Sequence, residues 1–282
     1  MGAASVALRG LLNPRARARE NRHEAVSEAT GLAFDRTPGA VVAVCGLAGG
    51  CGTTTLAHLV AAQAARESSG PVLLCESEAP LGGLAVVAGA SSAHGLAGVA
   101  DLTGETGTIP DLPVTWLTDR LALLAAPPRP RPPVPETTVA AVLEHARATY
   151  PLVVVDCRTP DHPHCAAALS VATHVLWTLP ASSATLESFL ALTRTGLLPV
   201  APEARHALIA NAVRPAPAAS VRDLHKLTDD RHERLVLIPH IEEIHEPAVA
   251  RGERVLFALT QLATLLRSGT AGRRGAPRVG AT

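Results

Sequence analysis

The sequence is short of several things, and each shortage narrows the reading. Aromatic residues make up 2% of the 282 positions, so the core has to be built from alanine, valine and leucine; apolar residues reach 47%, enough for a sizeable one. Charge imbalance is missing too: 25 basic residues face 25 acidic ones, which removes any reason to expect wholesale nucleic-acid binding. There is one lysine, Lys226, among many arginines, and with so much alanine and proline this reads as a bias toward GC-rich codons. No apolar run reaches the roughly 18 to 20 residues that a membrane-spanning helix needs. The N-terminus has no apolar run followed by a cleavage site, and Val6 stands where a myristoylation signal after Gly2 requires serine or threonine. A cytoplasmic protein is the expectation, with contact at the inner face of the plasma membrane as its extension.

Cysteine is present without a pattern. Cys45, Cys51, Cys75, Cys157 and Cys165 are odd in number and form no CxxC pair, so a disulfide framework is excluded. Four of them, Cys45, Cys51, Cys75 and Cys157, fall near strand ends. In an alanine-rich core free cysteine serves as a small buried residue, and no metal cluster is expected. "DCRTPDHPHC" places Cys157, Asp161, His162, His164 and Cys165 close together, but at a spacing that fits no common zinc motif. "HIEEIH", with His240 and His245, is not an HExxH zinc motif, and no G-x-S-x-G elbow occurs.

What is present is an alternation of short apolar runs with helical patterns. "VVAVCG" reads as a buried strand and "TTTLAHLVAAQAARES" as a helix; "GPVLLCES" is a second strand. "LPVTWLTDRLALLAAP" reads as strand, turn and strand, followed by a polyproline-like connector, "PPRPRPPVP". "ETTVAAVLEHARATY" is a helix opened by Glu136, "PLVVVDC" a strand, "HPHCAAALSVAT" a helix, "HVLWTLP" a strand and "SATLESFLALTRTG" a helix closed by Gly196. "RHALIANAV" and "ERLVLIPHI" are two more strands, and "PAVARG" and "RVLFALTQLATLLRSG" supply the last helices. The expected organisation is a flexible Arg-rich arm over 1–38, one domain over 39–267 and a disordered basic tail over 268–282. The expected fold class is α/β: a three-layer, doubly wound, mostly parallel sheet.

In such sheets ligands sit at the carboxyl ends of the strands. The first strand ends in "GLAGGCGTTT". Its glycines let backbone N–H groups approach a phosphate, and the helix that follows adds its positive N-terminal end. Gly49, Gly50, Cys51, Gly52, Thr53, Thr54 and Thr55 are the candidate nucleotide-binding residues.

This loop resembles the deviant Walker A motif of the ParA/MinD superfamily, "KGGxGKTT", and the resemblance implies a P-loop NTPase-like fold. "AGGCGTTT" matches it at Gly49, Gly50, Gly52, Thr54 and Thr55, and departs at both lysine positions, here Ala48 and Thr53. Further landmarks follow in order. "PVLLCESEAPLGGLA" is similar to the second strand and switch, with Glu76 and Glu78 at the acidic positions. "YPLVVVDC" resembles the Walker B strand ending in Asp156, "HALIANAV" the strand ending in a base-reading Asn, here Asn211, and "VLIPHIEEIHEPAVARG" the segment that covers the base.

The resemblance implies ATP and Mg²⁺ as cofactors, weakened or lost, with Thr54 as Mg²⁺ ligand and Asp156 as its outer partner and candidate catalytic group. It implies a homodimer working with a protein partner of a secretion, pilus or cell-division system. "LALLAAP" and "VVVDCR" narrow it toward CpaE/TadZ-type proteins, MinD-like factors that position pilus or secretion machinery. The first functional expectation is therefore a positioning or scaffolding factor with a degenerate site; the alternative is a slow partition- or septum-site-type ATPase. In this family the C-terminal helix often binds membrane. Here its apolar stripe, Val255, Leu256, Leu259, Leu262 and Leu266, reads first as core, and the arginines after it as a weak attraction to anionic surfaces.

The missing lysines set the energetic question. One charge-assisted hydrogen bond to phosphate is worth about 1.5–3 kcal/mol. Losing it weakens ATP by about one to two decades, and the chemical step by more. Thr53 offers one neutral hydrogen bond instead, and Arg158 is the cation best placed by sequence to substitute.

Overall fold

The structure is a computed structural model. It describes residues 39–68, 70–77, 83–127, 134–157, 159–160, 162–194, 200–212, 222–223, 226, 235–238, 240, 259–260 and 262. The proposed arm and tail, Glu78, Arg158, Asp161, Gly196, His245 and most of the base-covering segment lie outside these residues.

The chain alternates strands and helices from the first described residue. Strand β1 (Ala40–Gly46) leads into helix α1 (Thr53–Glu67), then β2 (Val72–Glu76), α2 (Gly83–Ala88) and α3 (Leu96–Thr106). An outer pair follows, β3 (Thr115–Thr118) and β4 (Leu121–Leu124), then α4 (Glu136–Thr149), β5 (Leu152–Cys157) and α5 (Pro163–Val171). Then come β6 (His174–Pro180), α6 (Ser183–Arg194), β7 (Arg205–Asn211) and β8 (Leu235–Ile238).

Among the described residues, eight strands form one sheet in the order β3-β4-β2-β5-β1-β6-β7-β8. Every pairing is parallel except β3 with β4. Parallel strands need both faces covered, because each strand is a nearly continuous apolar run. Two apolar layers provide this. One face carries Val41, Ala43, Val153, Val155 and Val175 against residues of α3, α4, α5 and α6. The other carries Val42, Val44, Val154 and Leu176 against α1, Leu84 of α2, and Leu259 and Leu262. The α/β, doubly wound, mostly parallel expectation is met.

Side chains alternate along each strand, so neighbouring residues serve opposite layers. Odd-numbered Cys45 and Cys157 join the α5 layer, and even-numbered Val44 joins the α1 layer. The two tryptophans occupy contrasting places. Trp177 of β6 is fully buried in the α5 layer, paired in register with Cys45, and its indole N–H donates to His206 Nδ1 at 3.0 Å. Trp116 lies on outer strand β3 and is 52% exposed.

Helix α3 is an element the sequence pattern did not disclose. Gly95, Gly98, Gly104 and Gly107 punctuate the stretch and lower its helix propensity. Leu96, Val99 and Ala100 nevertheless recur at helical spacing and are buried in the α5 layer, so tertiary packing overrides propensity here.

Candidate functional site

The carboxyl ends of β1, β2 and β5 meet where β1 turns into α1. Two positions of that turn depend on glycine. Gly50 has φ +72 and Gly52 φ +83, the left-handed region that a side chain rarely adopts. Gly49 is not among the positive-φ glycines, and a Cβ placed at either Gly49 or Gly50 would meet nothing within 4 Å. The loop is thus open on the side of Gly49 and Gly50, both exposed. Its last residue, Gly52, is the N-cap of α1, and no side chain caps the helix. The first-turn amides of Thr53, Thr54 and Thr55 therefore remain for an external acceptor.

Two contacts tie the loop down. Leu47 N–H donates to the Thr178 carbonyl oxygen of β6 at 2.9 Å. Asn211, at the end of β7, donates its side-chain amide to the Cys51 carbonyl oxygen at 2.9 Å. In this conformation the residue expected to read a base holds the phosphate-type loop. Thr53, which stands in for the lysine, has its hydroxyl 3.1 Å from Cys51 Sγ.

The acidic side of the site lies below α1. Asp156 pairs in register with Val44 of β1 and with Glu76 of β2. Val44 packs in the α1 layer, so the two carboxylates share the α1 face. Both are buried, at 5% and 7% exposure. The Glu76 carboxylate accepts from Leu84 N–H at 3.3 Å, near the start of α2. Ser77 donates both its N–H and its hydroxyl to the Asp156 carbonyl oxygen, at 3.0 and 3.1 Å, which locks the ends of β2 and β5 together. Thr54 Oγ1 and Glu76 Oε1 each lie 3.8 Å from the point a Cβ on Gly83 would occupy. A hydroxyl and a carboxylate oxygen thus converge on a spot that glycine keeps open. The sequence had marked Glu76 as acidic but had not joined it to Thr54 through Gly83; the glycine pair of "PLGGLA" was the available signal.

The donor set fits Mg²⁺, which takes oxygen ligands and keeps several waters. The glycine loop fits phosphate, because the left-handed turns and the uncapped first turn aim N–H groups outward.

The opposite face of the same strand ends holds a second cluster. Cys45 and Cys157 are register partners on β1 and β5, and Cys165 reaches them from the first turn of α5. The three sulfurs all lie within 4.8 Å of one another, and Cys45 Sγ is 3.5 Å from Cys165 Sγ. All three residues are buried. Burial pushes the Cys45 thiol well above its usual range; hydrogen bonding to Cys165 and Cys45, then burial, does the same for Cys157.

This corrects the expectation that no metal cluster would be found. Among the described residues these cysteines form a trio able to hold a metal ion. The reason is strand parity combined with strand order. Cysteines 45 and 157 are far apart in sequence but adjacent across β1 and β5, and α5 folds Cys165 back over them. Cys51 and Cys75, the other strand-end cysteines, are buried outside the trio. The histidines of "DCRTPDHPHC" serve α5 instead: the His162 ring accepts from His164 N–H, capping the helix, and His164 Nε2 lies 3.2 Å from the Val134 carbonyl oxygen.

Comparison with known proteins bears on the fold. No protein-family model matches the chain, and no curated protein matches it. Solved structures do. A ParA family ATPase from Chlorobium tepidum TLS matches with TM-score 0.63 at 17% identity, over 80% of this chain and 97% of that one. The MinC:MinD cell division protein complex of Aquifex aeolicus matches with TM-score 0.61 at 16% identity, over 84% and 97%. Cobyrinic acid a,c-diamide synthase from Mycobacterium smegmatis, with bound ADP and magnesium, matches with TM-score 0.60 at 19% identity, over 86% and 99%. At these identities the likeness is one of fold. Among the described residues, no helix is long and apolar enough to cross a membrane.

Proposed function

We propose that the chain, whose fold resembles these structures along most of its length, is a nucleotide-dependent positioning protein of the partition or septum-site kind, which binds ATP with Mg²⁺ and hydrolyses it slowly. The carrying observation is the pairing of an open glycine loop with the convergence of Thr54 Oγ1 and Glu76 Oε1 at Gly83, beside buried Asp156. The backbone amides of Gly49 through Thr55 would hold the phosphates. Thr54 would ligate the metal, with Glu76 and Asp156 ordering its remaining shell. Bound there, ATP supplies the transferable phosphoryl group and Mg²⁺ the charge that offsets it. Without lysine at 48 or 53 the cradle relies on dipoles, so affinity is reduced and turnover more so.

Two of the matched proteins are named for cell division, which favours a role of that kind over the pilus or secretion role implied by the CpaE/TadZ resemblance. A homodimer, a protein partner such as the MinC of the Aquifex complex, and transient contact with the inner membrane face belong to the same proposal.

Equilibrium dialysis of the full chain against labelled ATP, with and without Mg²⁺, tests it. Binding at sub-millimolar ATP, lost in T54A and D156A, is the expected result. No binding at millimolar ATP would sink the proposal. Turnover that survives both substitutions would assign the hydrolysis to another protein in the sample.

A further inference from the structure

We propose that Cys45, Cys157 and Cys165 form a three-coordinate site for a soft, thiophilic d¹⁰ metal ion, best satisfied by copper(I). The inference does not depend on nucleotide binding, because the trio lies on the opposite face of the sheet from Thr54, Glu76 and Asp156.

Geometry is the first support. Around an ion bound at about 2.3 Å from sulfur, ligand sulfurs stand about 3.8–4.0 Å apart. The trio's sulfurs span 3.5 Å to at most 4.8 Å, so small rotamer adjustments reach that triangle. The second support is provenance. The ligands come from β1, β5 and α5, and two of those elements are the most rigid kind the fold has, central parallel strands. Holding ligands on such elements keeps a site in shape without the ion.

The donor count selects the ion. Structural zinc sites are almost always four-coordinate, and among the described residues no fourth His, Cys, Asp or Glu joins the set. The residues are also sealed from water, at 0–1% exposure, so solvent does not complete a tetrahedron. Thiolate softness favours copper(I), and this ion accepts three ligands. Each sulfur that becomes a thiolate ligand gives up its proton to solvent. The remaining negative charge meets the positive end of α5, because Cys165 sits in that helix's first turn.

Occupancy would have a mechanical effect. It would clamp α5 to the strands that carry the glycine loop and Asp156. Cys45 directly precedes Gly46, and Cys157 directly follows Asp156.

The test is competition for copper(I). The full chain, purified without oxygen and with a non-thiol reductant, is titrated with copper(I) held by bathocuproine disulfonate. The expected result is one equivalent withdrawn from the chelator, with sulfur-to-copper charge-transfer absorption in the ultraviolet and an X-ray absorption spectrum fitted by three sulfurs. C45A, C157A and C165S should each weaken retention at least a hundredfold, and C75A should not. C165S, at a helix start, is the variant best suited to keep the fold, checked by circular dichroism. A parallel titration with zinc(II) should show weaker retention. Failure of the wild type to withdraw copper(I), or equal retention by folded C165S, overturns the site. Tighter zinc than copper overturns the three-coordinate assignment. A Cys45–Cys165 disulfide in the anaerobic protein overturns the inference, because it consumes the ligands.

Discussion

Asp156 and Cys157 are consecutive residues, yet they belong to different chemistries. Asp156 faces α1 with Glu76, among oxygen donors under a glycine loop. Cys157 faces α5 with Cys45, among sulfur donors sealed from water. The strands are the same, and only the alternation of the pleat separates them. The α1 side is polar, open at Gly49 and Gly50, and suited to a hard cation and phosphate. The α5 side is closed, apolar and suited to a soft cation. Position at strand ends therefore does not define a site by itself; the face does.

The two faces should answer to different perturbations. Acid acts on the α1 side. His174 of β6 shares that face with Val42, and burial, reinforced by Arg205, lowers its pKa from 6.5 to about 4. A folded value below the unfolded one means that stability is full above about pH 6.5 and declines as pH falls toward 4, since the unfolded chain binds the proton first. The loss over that span is about 3 kcal/mol. Denaturant melts at pH 7 and pH 4.5 measure it. H174Q should flatten this part of the profile, and an unchanged slope would remove His174 from the account.

Restoring charge at the loop is the next largest effect. T53K returns an ammonium to the phosphate side and should tighten ATP by about ten- to a hundredfold, from a gain of about 1.5–3 kcal/mol. Calorimetric titration reads it directly. Copper(I) retention on the other face should not change, and a joint change would mean that the two faces are coupled.

A smaller change is expected from N211A, which removes the hydrogen bond to the Cys51 carbonyl. The cost is about 1 kcal/mol, in loop order and hence in nucleotide affinity, followed by hydrogen exchange at residues 50–53. The smallest stability change belongs to G49A. Its φ is not in the left-handed region and its Cβ would meet nothing, so stability should move by less than about 0.5 kcal/mol. Nucleotide affinity should nevertheless fall, because the methyl group enters the open side of the cradle. Unaltered ATP binding in G49A would place the phosphates elsewhere.

How much of this was legible in the sequence differs between the faces. The α1 side could be read from local signals: an apolar run, a glycine-rich turn, a helical pattern, and later an acidic residue at the end of "LVVVD". Each signal is contiguous and keeps its meaning in isolation. The α5 side could not. Parity placed Cys45 and Cys157 each on some face, but which strands are neighbours is a property of the sheet order, with β5 between β2 and β1. Cys165 had appeared beside histidines in "DCRTPDHPHC", where proximity in sequence suggested the wrong partners. Helix α3 escaped for a related reason: its glycines hide a helix that forms because the α5 layer needs Leu96, Val99 and Ala100.

The tryptophans give the molecule two built-in lamps of different colour. Trp177 is sealed beside Cys45 with its indole N–H engaged by His206, whereas Trp116 stands half in water at the rim of the sheet. Buried indole emits toward the blue and solvated indole toward the red. An event at the thiols should dim the blue lamp first, with the red one as the internal reference, so that emission spectra would report on the hidden face without a label.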